Sequence, residues 1–216
     1  MRDLANRYDA YSDNDFNLEP NYNVSPSFVM PVITKNSPKK IQFMKWGLIP
    51  SWAKDPSIGN KLINARAESI LEKPSFRNSF KNKRCLVPAT GFYEWKKDEN
   101  TKIPYYFKPK DDSIFSFAGL YDVWVDAEGK EILSYTIITT EPNELMRPIH
   151  NRMPVILRIE DEDKWLYLNS KYSELIDLLK PSESETLEKY QVSSEVNNPR
   201  NNSEILIKKY NPKKLF

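Results

Sequence analysis

Apolar and polar residues alternate along several short stretches of the chain, and the connections between these stretches are brief and polar. Alternation with a period of two is typical of half-buried strands, and consecutive strands with short connections favour an antiparallel sheet. We therefore predict an α+β fold whose mostly antiparallel sheet forms a barrel-like core. The predicted strands are 29–34, 41–48, 85–87, 92–95, 103–108, 114–125, 131–139 and 190–193, with turns at 36–40 and 126–129.

Helical periodicity is confined to shorter segments, mostly towards the two ends of the chain. The pattern predicts the end of an amphipathic helix at 4–11, with Leu4 and Tyr8 on one face. No repeat, low-complexity tract or linker divides the sequence, so 1–216 is predicted to be a single domain with peripheral helices and a peripheral tail at 197–216. Other helices or helical turns are expected at 68–72, 75–80, 142–146, 161–168 and 172–179.

The stretch 84–97, RCLVPATGFYEWKK, contains the most unusual placement of a charge in the sequence. Pro88 is predicted to end its first strand, and Gly91 to permit a sharp bend before the second. Alternation then places Glu94 on the same face as Phe92, with the two neighbouring aromatic residues on the other face. An ionised and unpaired carboxylate is costly to bury. Glu94 therefore either faces solvent or has both a partner and a chemical task.

Composition narrows the class of protein. Hydrophobic residues make up 39% of the chain and charged residues 29%, which allows a core and favours a soluble, cytoplasmic protein. No apolar run is long enough to span a bilayer, and the start of the sequence has no apolar signal-peptide core. One cysteine excludes an intrachain disulfide, and one cysteine with one histidine argues against a zinc site, so no metal or cofactor is expected. The net charge of +2 means that nucleic-acid binding would need a local basic patch.

Three polar residues are candidates for chemistry, each with a structural alternative. His150, in RPIHNRMPV, is either a loop histidine bonded to backbone or a proton carrier, because histidine titrates nearest neutral pH. Glu94 is either a solvated strand residue or a second proton carrier. Asn64, in INARAE, is either a turn residue or a donor and acceptor that orients a reacting group.

Aromatic and basic residues lie interleaved before the central stretch, a combination that suits single-stranded nucleic acid. Trp52, in the proline-bounded loop IPSWAKDP, is the best candidate for an exposed stacking surface, whereas Trp46 and Trp95 are more typical of a core. Arg66 and Glu68 are two residues apart and can form a structural ion pair. The candidate cations are Lys45, Lys54, Lys61, Arg66 and Arg84.

Cys85 is the obvious nucleophile by residue type, yet its position argues against that role. It lies at the start of a predicted buried strand, between Arg84 and Leu86. A buried cysteine generally behaves as a small hydrophobic residue. We predict that Cys85 belongs to the core.

Several motifs occur together in a specific order: WGLIPSWAKD, NARAES, PSFRNSF followed by RCLVPATGFYEWK, ITTEPN, and HNRMPVIL. In this order they resemble the SRAP family (SOS response-associated peptidase), and the resemblance extends from about residue 22 to residue 196. It implies a single α+β domain around a barrel-like sheet, with a positively charged groove for single-stranded DNA. It also implies a monomeric sensor of abasic sites, associated with the nucleoid when bound to DNA.

The resemblance implies a covalent mechanism. In the family, removal of the initiator methionine exposes an N-terminal cysteine, which forms a thiazolidine cross-link with the abasic sugar. The asparagine of the NARAE motif, Asn64, is then expected to orient the cysteine and the sugar, Glu94 to act as general acid and base on the amine, and His150 to protonate the sugar ring oxygen. The implied DNA contacts are Trp52, Arg66, Trp95, Thr139, Pro26 and Arg152.

The sequence departs from the family at one position, because residue 2 is Arg2 and not cysteine. Cys85 has no free α-amine and cannot replace the N-terminal residue. Two explanations are open: the sequence as given starts after the cysteine, or the chain is a degenerate member that binds single-stranded DNA without linking to it. We favour the first, because Asn64, Glu94 and His150 are all retained. A peptidase acting on other proteins has no support in a Ser/His/Asp set or in metal-ligand spacing.

Overall fold

The computed structural model describes residues 2–12, 19–99, 101–167 and 171–211. No helix within these ranges is long and apolar enough to cross a membrane. The strands are β1 (Val29–Thr34), β2 (Ser37–Trp46), β3 (Asn64–Arg66), β4 (Arg84–Ala89), β5 (Phe92–Asp98), β6 (Thr101–Pro109), β7 (Phe115–Val125), β8 (Glu131–Thr140), β9 (Met153–Pro154), β10 (Ile156–Leu157) and β11 (Leu187–Gln191). The helices are α1 (Arg2–Tyr8), α2 (Pro74–Asn82), α3 (Ile159–Leu166) and α4 (Tyr172–Asp177), with short 3-10 turns at Pro56–Lys61, Ala67–Ser69, Ser184–Thr186, Ser194–Asn197 and Glu204–Ile207.

Five strands close into a barrel in the spatial order β7, β4, β1, β2 and β8, with β8 pairing back onto β7. Every one of these pairs is antiparallel except β2–β8, which is parallel. Alternate side chains fill the barrel, where Val32, Met44, Cys85 and Tyr135 are packed together and buried. The predicted α+β fold with a mostly antiparallel, barrel-like core is therefore confirmed.

Helices cover the outer face of the same strands. Phe80 of α2 and Trp165 of α3 are fully buried in a second apolar cluster, which also includes the outward-facing residues of the barrel strands. Leu4 and Tyr8 of α1 both pack against this cluster, which confirms the apolar face predicted for that helix. Burial of each large side chain contributes about 1.5–3 kcal/mol, so this layer contributes substantially to the stability of the barrel.

A separate three-stranded antiparallel sheet has the order β11, β6, β5. On one face, Phe92 stacks on Phe107 with ring centroids 5.2 Å apart, and Phe92 also packs against the interior cluster of the barrel. On the other face, Tyr93 and Tyr106 pack with later parts of the chain. Leu206, from the segment that the sequence analysis treats as a peripheral tail, is fully buried in that second cluster.

The two longest barrel strands separate at one end and admit another segment between them. β7 and β8 pair as far as Gly119 and Ile137 and then separate. In the gap, β9 pairs with β8 and β10 pairs with β7. On the other edge of β8, the short strand β3 runs parallel to it, with Arg66 in register with Thr139. Thr139 therefore lies between two segments, 64–66 and 153–154, that are distant in sequence.

The junction between β4 and β5 differs from the prediction. β4 continues through Pro88 to Ala89 because its pairing with β1 involves only Cys85 and Leu86, so the missing N–H of the proline removes no bond on that side. β4 and β5 then enter different sheets. Gly91 has no positive φ; it is required because an added Cβ would lie 2.2 Å from two atoms of the Tyr106 ring.

Other predicted boundaries also shift. The helix predicted at 142–146 is replaced by successive turns at 144–149. The Asn143 side chain accepts the Met146 N–H at 2.9 Å and its carbonyl accepts the Arg147 N–H, which gives one helical turn, but Pro148 has no N–H with which to continue it. The last strand, predicted at 190–193, is Leu187–Gln191. Most of the turn predicted at 36–40 belongs to β2.

The prediction for Cys85 is confirmed and that for Arg84 is wrong. Cys85 is fully buried, and burial raises the pKa of its thiol. Arg84, expected as a cation that faces DNA, is 1% exposed. Its guanidinium donates to the backbone carbonyls of four residues in the α2 and α3 regions: Phe80, Lys81, Trp165 and Tyr167. Arg84 joins helices to the barrel and offers nothing to a ligand.

Candidate active site

Glu94 lies at the centre of β5, on the face that packs towards the barrel. Its cross-strand partner is Tyr105, and Phe92 lies two residues before it on the same face. The Glu94 side chain is 23% exposed. Burial raises the pKa of its carboxyl above the usual range, and the charge of nearby His150 acts in the opposite direction with a smaller effect. The shift of this pKa is towards neutral pH, which is the direction that suits a group acting as both acid and base.

His150 reaches this face from the turns that follow β8. Met146 and Ile149 are buried in the cluster that includes Phe92 and Phe107, and they fix the loop on the three-stranded sheet. The His150 N–H donates to the Met146 carbonyl at 3.1 Å. The imidazole Nδ1 then lies 3.9 Å from Glu94 Oε2. This separation is too long for a hydrogen bond, but it places two titratable side chains next to each other.

The two residues that anchor His150 could not be identified from the sequence. Met146 and Ile149 precede it by four and one positions, and their side chains are 1% and 8% exposed. The apolar character of both was visible in ELMRPIHNRMP, but the expected helix at 142–146 obscured which face they share. Their burial explains how a short loop holds a half-exposed imidazole beside a carboxyl.

A second group of polar side chains lies across the end of β8. The carboxylate of Glu68 forms a bidentate pair with Arg152, with Oε1–Nη1 and Oε2–Nη2 distances of 2.6 and 2.9 Å. Arg152 also donates to the backbone carbonyl of Thr139 at 2.6 Å. The hydrogen bond from Arg152 is the main cause that lowers the pKa of Glu68. The ion pair of Glu68 is thus with Arg152, and not with Arg66 as the spacing suggested.

Asn64 begins β3, on the opposite edge of β8 from β9. It is exposed, and within the described ranges its side-chain amide makes no hydrogen bond. Arg66, two residues later, is exposed on the same short strand. The structure thus brings Glu94 and His150 into proximity and places Asn64 and Arg66, both exposed, on a neighbouring edge.

Trp52 is 58% exposed, which confirms the prediction of an exposed tryptophan. A shallow cavity of about 240 Å³ lies beside its ring and is lined by Lys54 and Lys61, among others. The loop is held from the barrel: Asp122 accepts the Ser51 N–H at 2.8 Å, and the indole N–H of Trp124 donates to the Ala53 carbonyl at 2.7 Å. These two anchors could not be predicted from the local sequence of the loop, because both lie in β7, far along the chain.

Trp95 and Pro26, the two other expected DNA contacts, lie outside the groups formed around Glu94 and Trp52. Trp95 projects from the face of β5 opposite to Glu94, where its indole N–H donates to the Asn197 side chain at 2.7 Å. Pro26 is exposed in a turn that is fixed by a bond from the Ser27 N–H to the Trp46 carbonyl. No group of three or more His, Cys, Asp or Glu that could hold a metal ion occurs among the described residues.

Comparisons with known proteins identify the family. A family model described as SOS response associated peptidase (SRAP) matches residues 1–199. The Abasic site processing protein YoqW of Bacillus subtilis (strain 168) is 51% identical over 194 residues, which cover 88% of this chain and 87% of the relative. The Abasic site processing protein HMCES of Xenopus tropicalis is 35% identical over 218 residues, which cover 86% of this chain and 64% of the relative.

Solved structures agree with this result. A crystal structure of a protein from Bacteroides thetaiotaomicron superposes with a TM-score of 0.90 and 38% identity, covering 96% of this chain and 94% of that chain. A protein from Bordetella bronchiseptica, at 24% identity and a TM-score of 0.76, shares the fold. The order of the motifs, the barrel and these matches lead to one conclusion: the chain belongs to the SRAP family.

Proposed function

We propose that this protein processes abasic sites in single-stranded DNA, with Glu94 and His150 as its proton carriers. The observation that carries the proposal is the approach of the two side chains, with Nδ1 and Oε2 3.9 Å apart and the pKa of the carboxyl raised by burial. Relatives that are about half identical over most of their length are named for abasic-site processing, which supports the same substrate here.

The chemistry of an abasic site suits such a pair. Its sugar exists as a cyclic hemiacetal in equilibrium with an open aldehyde, and opening the ring requires a proton at the ring oxygen. Addition of an amine to the aldehyde carbon gives a carbinolamine, which loses water to form a Schiff base when an acid protonates the leaving hydroxyl. We assign the ring oxygen to His150 and the carbinolamine to Glu94, and we assign the orientation of the sugar to Asn64.

The cross-link itself needs an amine and a thiol on one residue. The α-amine of an N-terminal cysteine has an ordinary pKa of about 7.7–8.0 and is available as a free base near neutral pH. Once the Schiff base has formed, the thiol of the same residue adds to the imine carbon and the nitrogen takes a proton, which closes a thiazolidine with one water released overall. The second step is intramolecular and therefore fast. We propose that a form of this protein that begins with cysteine upstream of Met1 carries out the reaction.

The DNA contacts are proposed from exposure and charge. Trp52 can stack on a base while Lys54 and Lys61 beside it contact phosphate. Pro26 and Arg66 are also exposed. Thr139 and Trp95 complete the proposed contact set, whereas the guanidinium of Arg152, expected as a further contact, is already bonded to Glu68 and to the Thr139 carbonyl. We propose that the protein acts on DNA as a monomer.

A cross-linking assay tests the proposal. The chain is extended upstream with a Met-Cys start and incubated with a single-stranded oligonucleotide that contains one abasic site. A denaturing gel should show an adduct that survives heating in detergent, and Glu94→Gln should slow its formation by about 10²-fold, within the range of general acid–base catalysis. Glu183→Gln, which changes an exposed carboxylate elsewhere, is the matched control. No adduct from the folded, extended protein would refute the proposal.

The exposed Trp52 supports a second candidate, a single-stranded DNA module without covalent chemistry. It predicts salt-sensitive binding that Trp52→Ala weakens by about tenfold, since stacking on one base contributes ~1–3 kcal/mol. Tyr167→Ala removes an aromatic ring of similar exposure elsewhere and serves as the control. Binding that is identical for an intact and an abasic oligonucleotide and indifferent to Glu94→Gln would favour this candidate.

A further inference from the structure

Glu68 is linked to the candidate site through its ion pair with Arg152, and no functional role has yet been given to it. We propose that Glu68 is a positioning residue: it fixes Arg152, and the backbone of Arg152 in turn orients the imidazole of His150 towards Glu94. The catalytic consequence of this arrangement rests on the proposed function. The arrangement itself is a property of the free protein and can be measured without DNA.

The first link is the bidentate ion pair. Both carboxylate oxygens of Glu68 accept from the two terminal nitrogens of Arg152, and one of these nitrogens also donates to the Thr139 carbonyl. Bidentate pairing of this kind fixes the plane of a guanidinium as well as its position. The Arg152 side chain is 19% exposed, so the pair is partly shielded from solvent on that side. Arg152 is thereby fixed to β8 and to the 3-10 turn Ala67–Ser69.

The second link joins the backbone of Arg152 to the imidazole. Two backbone groups of Arg152 lie 3.2 Å from His150 Nδ1: the N–H, which can donate to a bare Nδ1, and the carbonyl oxygen, which can accept from a protonated Nδ1. The first bond places the proton of the neutral ring on Nε2 and the second places it on Nδ1, so the tautomer is set by the position of the Arg152 backbone. The His150 side chain is 41% exposed, and within the described ranges its ring is hydrogen-bonded only to the Arg152 backbone. The orientation of the ring therefore depends on where Arg152 is held.

The charges around His150 give a second reason why Glu68 is important. Glu94 faces the His150 ring from β5. Arg147 and Arg152 lie on the same loop as His150. Glu68 neutralises Arg152, so its loss would both release the loop and leave a cation uncompensated near the site. Arg66 interacts with Glu68 only through a weaker charge effect, so the bidentate pair is made by Arg152.

An alternative role for Arg152 makes the opposite prediction. If Arg152 served mainly to bind a phosphate group of DNA, Glu68 would compete for the same two nitrogens. Removing the carboxylate would then free the guanidinium and strengthen DNA binding. If Glu68 positions His150, its removal should slow the chemistry and change the state of the ring, with no gain in reaction rate.

The test uses the fact that the chain contains a single histidine. Protein labelled with ¹⁵N in the imidazole is examined by long-range ¹H–¹⁵N correlation, at a pH where the ring is neutral, to measure the populations of the two tautomers. Wild type is expected to show one predominant tautomer, set by the backbone group of Arg152 that bonds to Nδ1. Glu68→Gln and Arg152→Lys, which both remove the bidentate pair, are expected to give a mixture. Glu183→Gln breaks the exposed pair with Arg158 and should leave the tautomers unchanged.

The same variants are then compared in the extended, cysteine-initiated form with an abasic oligonucleotide. Glu68→Gln should lower the cross-linking rate by roughly tenfold, part of the ~10²–10⁴-fold that a proton carrier supplies, while thermal melting changes little. An unchanged tautomer population in Glu68→Gln overturns the inference, with or without tighter DNA binding. If the extended, cysteine-initiated protein with Glu68 intact fails to cross-link, the proposed function fails. The tautomer measurement still decides the role of Glu68.

Discussion

Gly91 connects the barrel to the three-stranded sheet, and its replacement by alanine tests why the GFYEW motif begins with glycine. The φ angle of Gly91 is not positive, so the backbone alone does not demand glycine. The demand is steric. A Cβ at this position would lie 2.2 Å from both Cζ and Oη of Tyr106 and 2.7 Å from the Phe107 carbonyl oxygen.

The size of the effect follows from the surroundings of Tyr106. Its ring is 5% exposed and packs against Tyr93 and Tyr190, with centroids 5.1 and 6.0 Å away, so it cannot move aside freely. Overpacking a core costs about 1–3 kcal/mol, and three contacts this short place Gly91→Ala at or above the upper end. The lower entropy of the unfolded alanine chain returns about 0.4–1 kcal/mol. We expect a net destabilisation of about 2–3 kcal/mol.

Urea denaturation of wild type, Gly91→Ala, Tyr106→Leu and the double variant measures the clash directly. In the Tyr106→Leu background the ring atoms are gone, so Gly91→Ala should cost about 1 kcal/mol or less, from the Phe107 carbonyl alone. Gly129→Ala is the control: it has open space for a Cβ but a φ of 83°, and should cost only ~1–2 kcal/mol from the backbone. An equal cost of Gly91→Ala in both backgrounds would refute the steric explanation.

Two further predictions concern buried charges. Burial raises the pKa of Glu94 in the folded protein, so the folded state favours the protonated carboxyl. The contribution of this preference to the free energy of unfolding is present in full below the pKa that Glu94 has in the unfolded chain. It is lost as pH rises through the pKa that Glu94 has in the folded protein. Glu94→Gln should therefore melt at a higher temperature than wild type at pH 8 and converge with it near pH 4, and a lower melting temperature at pH 8 would contradict the argument. Arg84→Met leaves four backbone carbonyls without their buried donor and should lower the free energy of unfolding in urea by about 3–5 kcal/mol. At a temperature where the variant remains folded, its affinity for single-stranded DNA should match wild type, since the guanidinium is 1% exposed.

Local patterns predicted the strands well because the forces that set them are local. The bounds of β1 match the prediction, and the alternation in 92–95 placed Glu94 and Phe92 on the correct common face. Pairing between strands depends on distant residues. Nothing in the sequence of β4 and β5 shows that they enter different sheets, or that β7 and β8 separate to admit 153–157.

In the candidate site, too, the local features could be predicted from the sequence and the contacts between distant residues could not. The type and spacing of residues indicated Glu94 and His150, and the exposure of Trp52 was predicted from the prolines around it. The ion pair of Glu68 with Arg152 spans 84 positions in the chain and could not be inferred from the spacing of Glu68 and Arg66. Arg84 was misassigned because sequence shows the charge of an arginine but not the carbonyls that surround it.

The geometry of Glu94 and His150 is better explained by chemistry than by stability. A structural ion pair would be expected at hydrogen-bond distance with the pKa of the carboxyl lowered, as in the pair of Glu68 with Arg152. Here the atoms are 3.9 Å apart, the pKa of the carboxyl is raised, and the imidazole is 41% exposed. Each of these features lowers stability relative to a closed pair, because an ionised carboxyl is desolvated without a compensating hydrogen bond to the ring. The arrangement instead brings together two side chains that can carry a proton, as the proposed protonation of two different atoms of one abasic sugar would require.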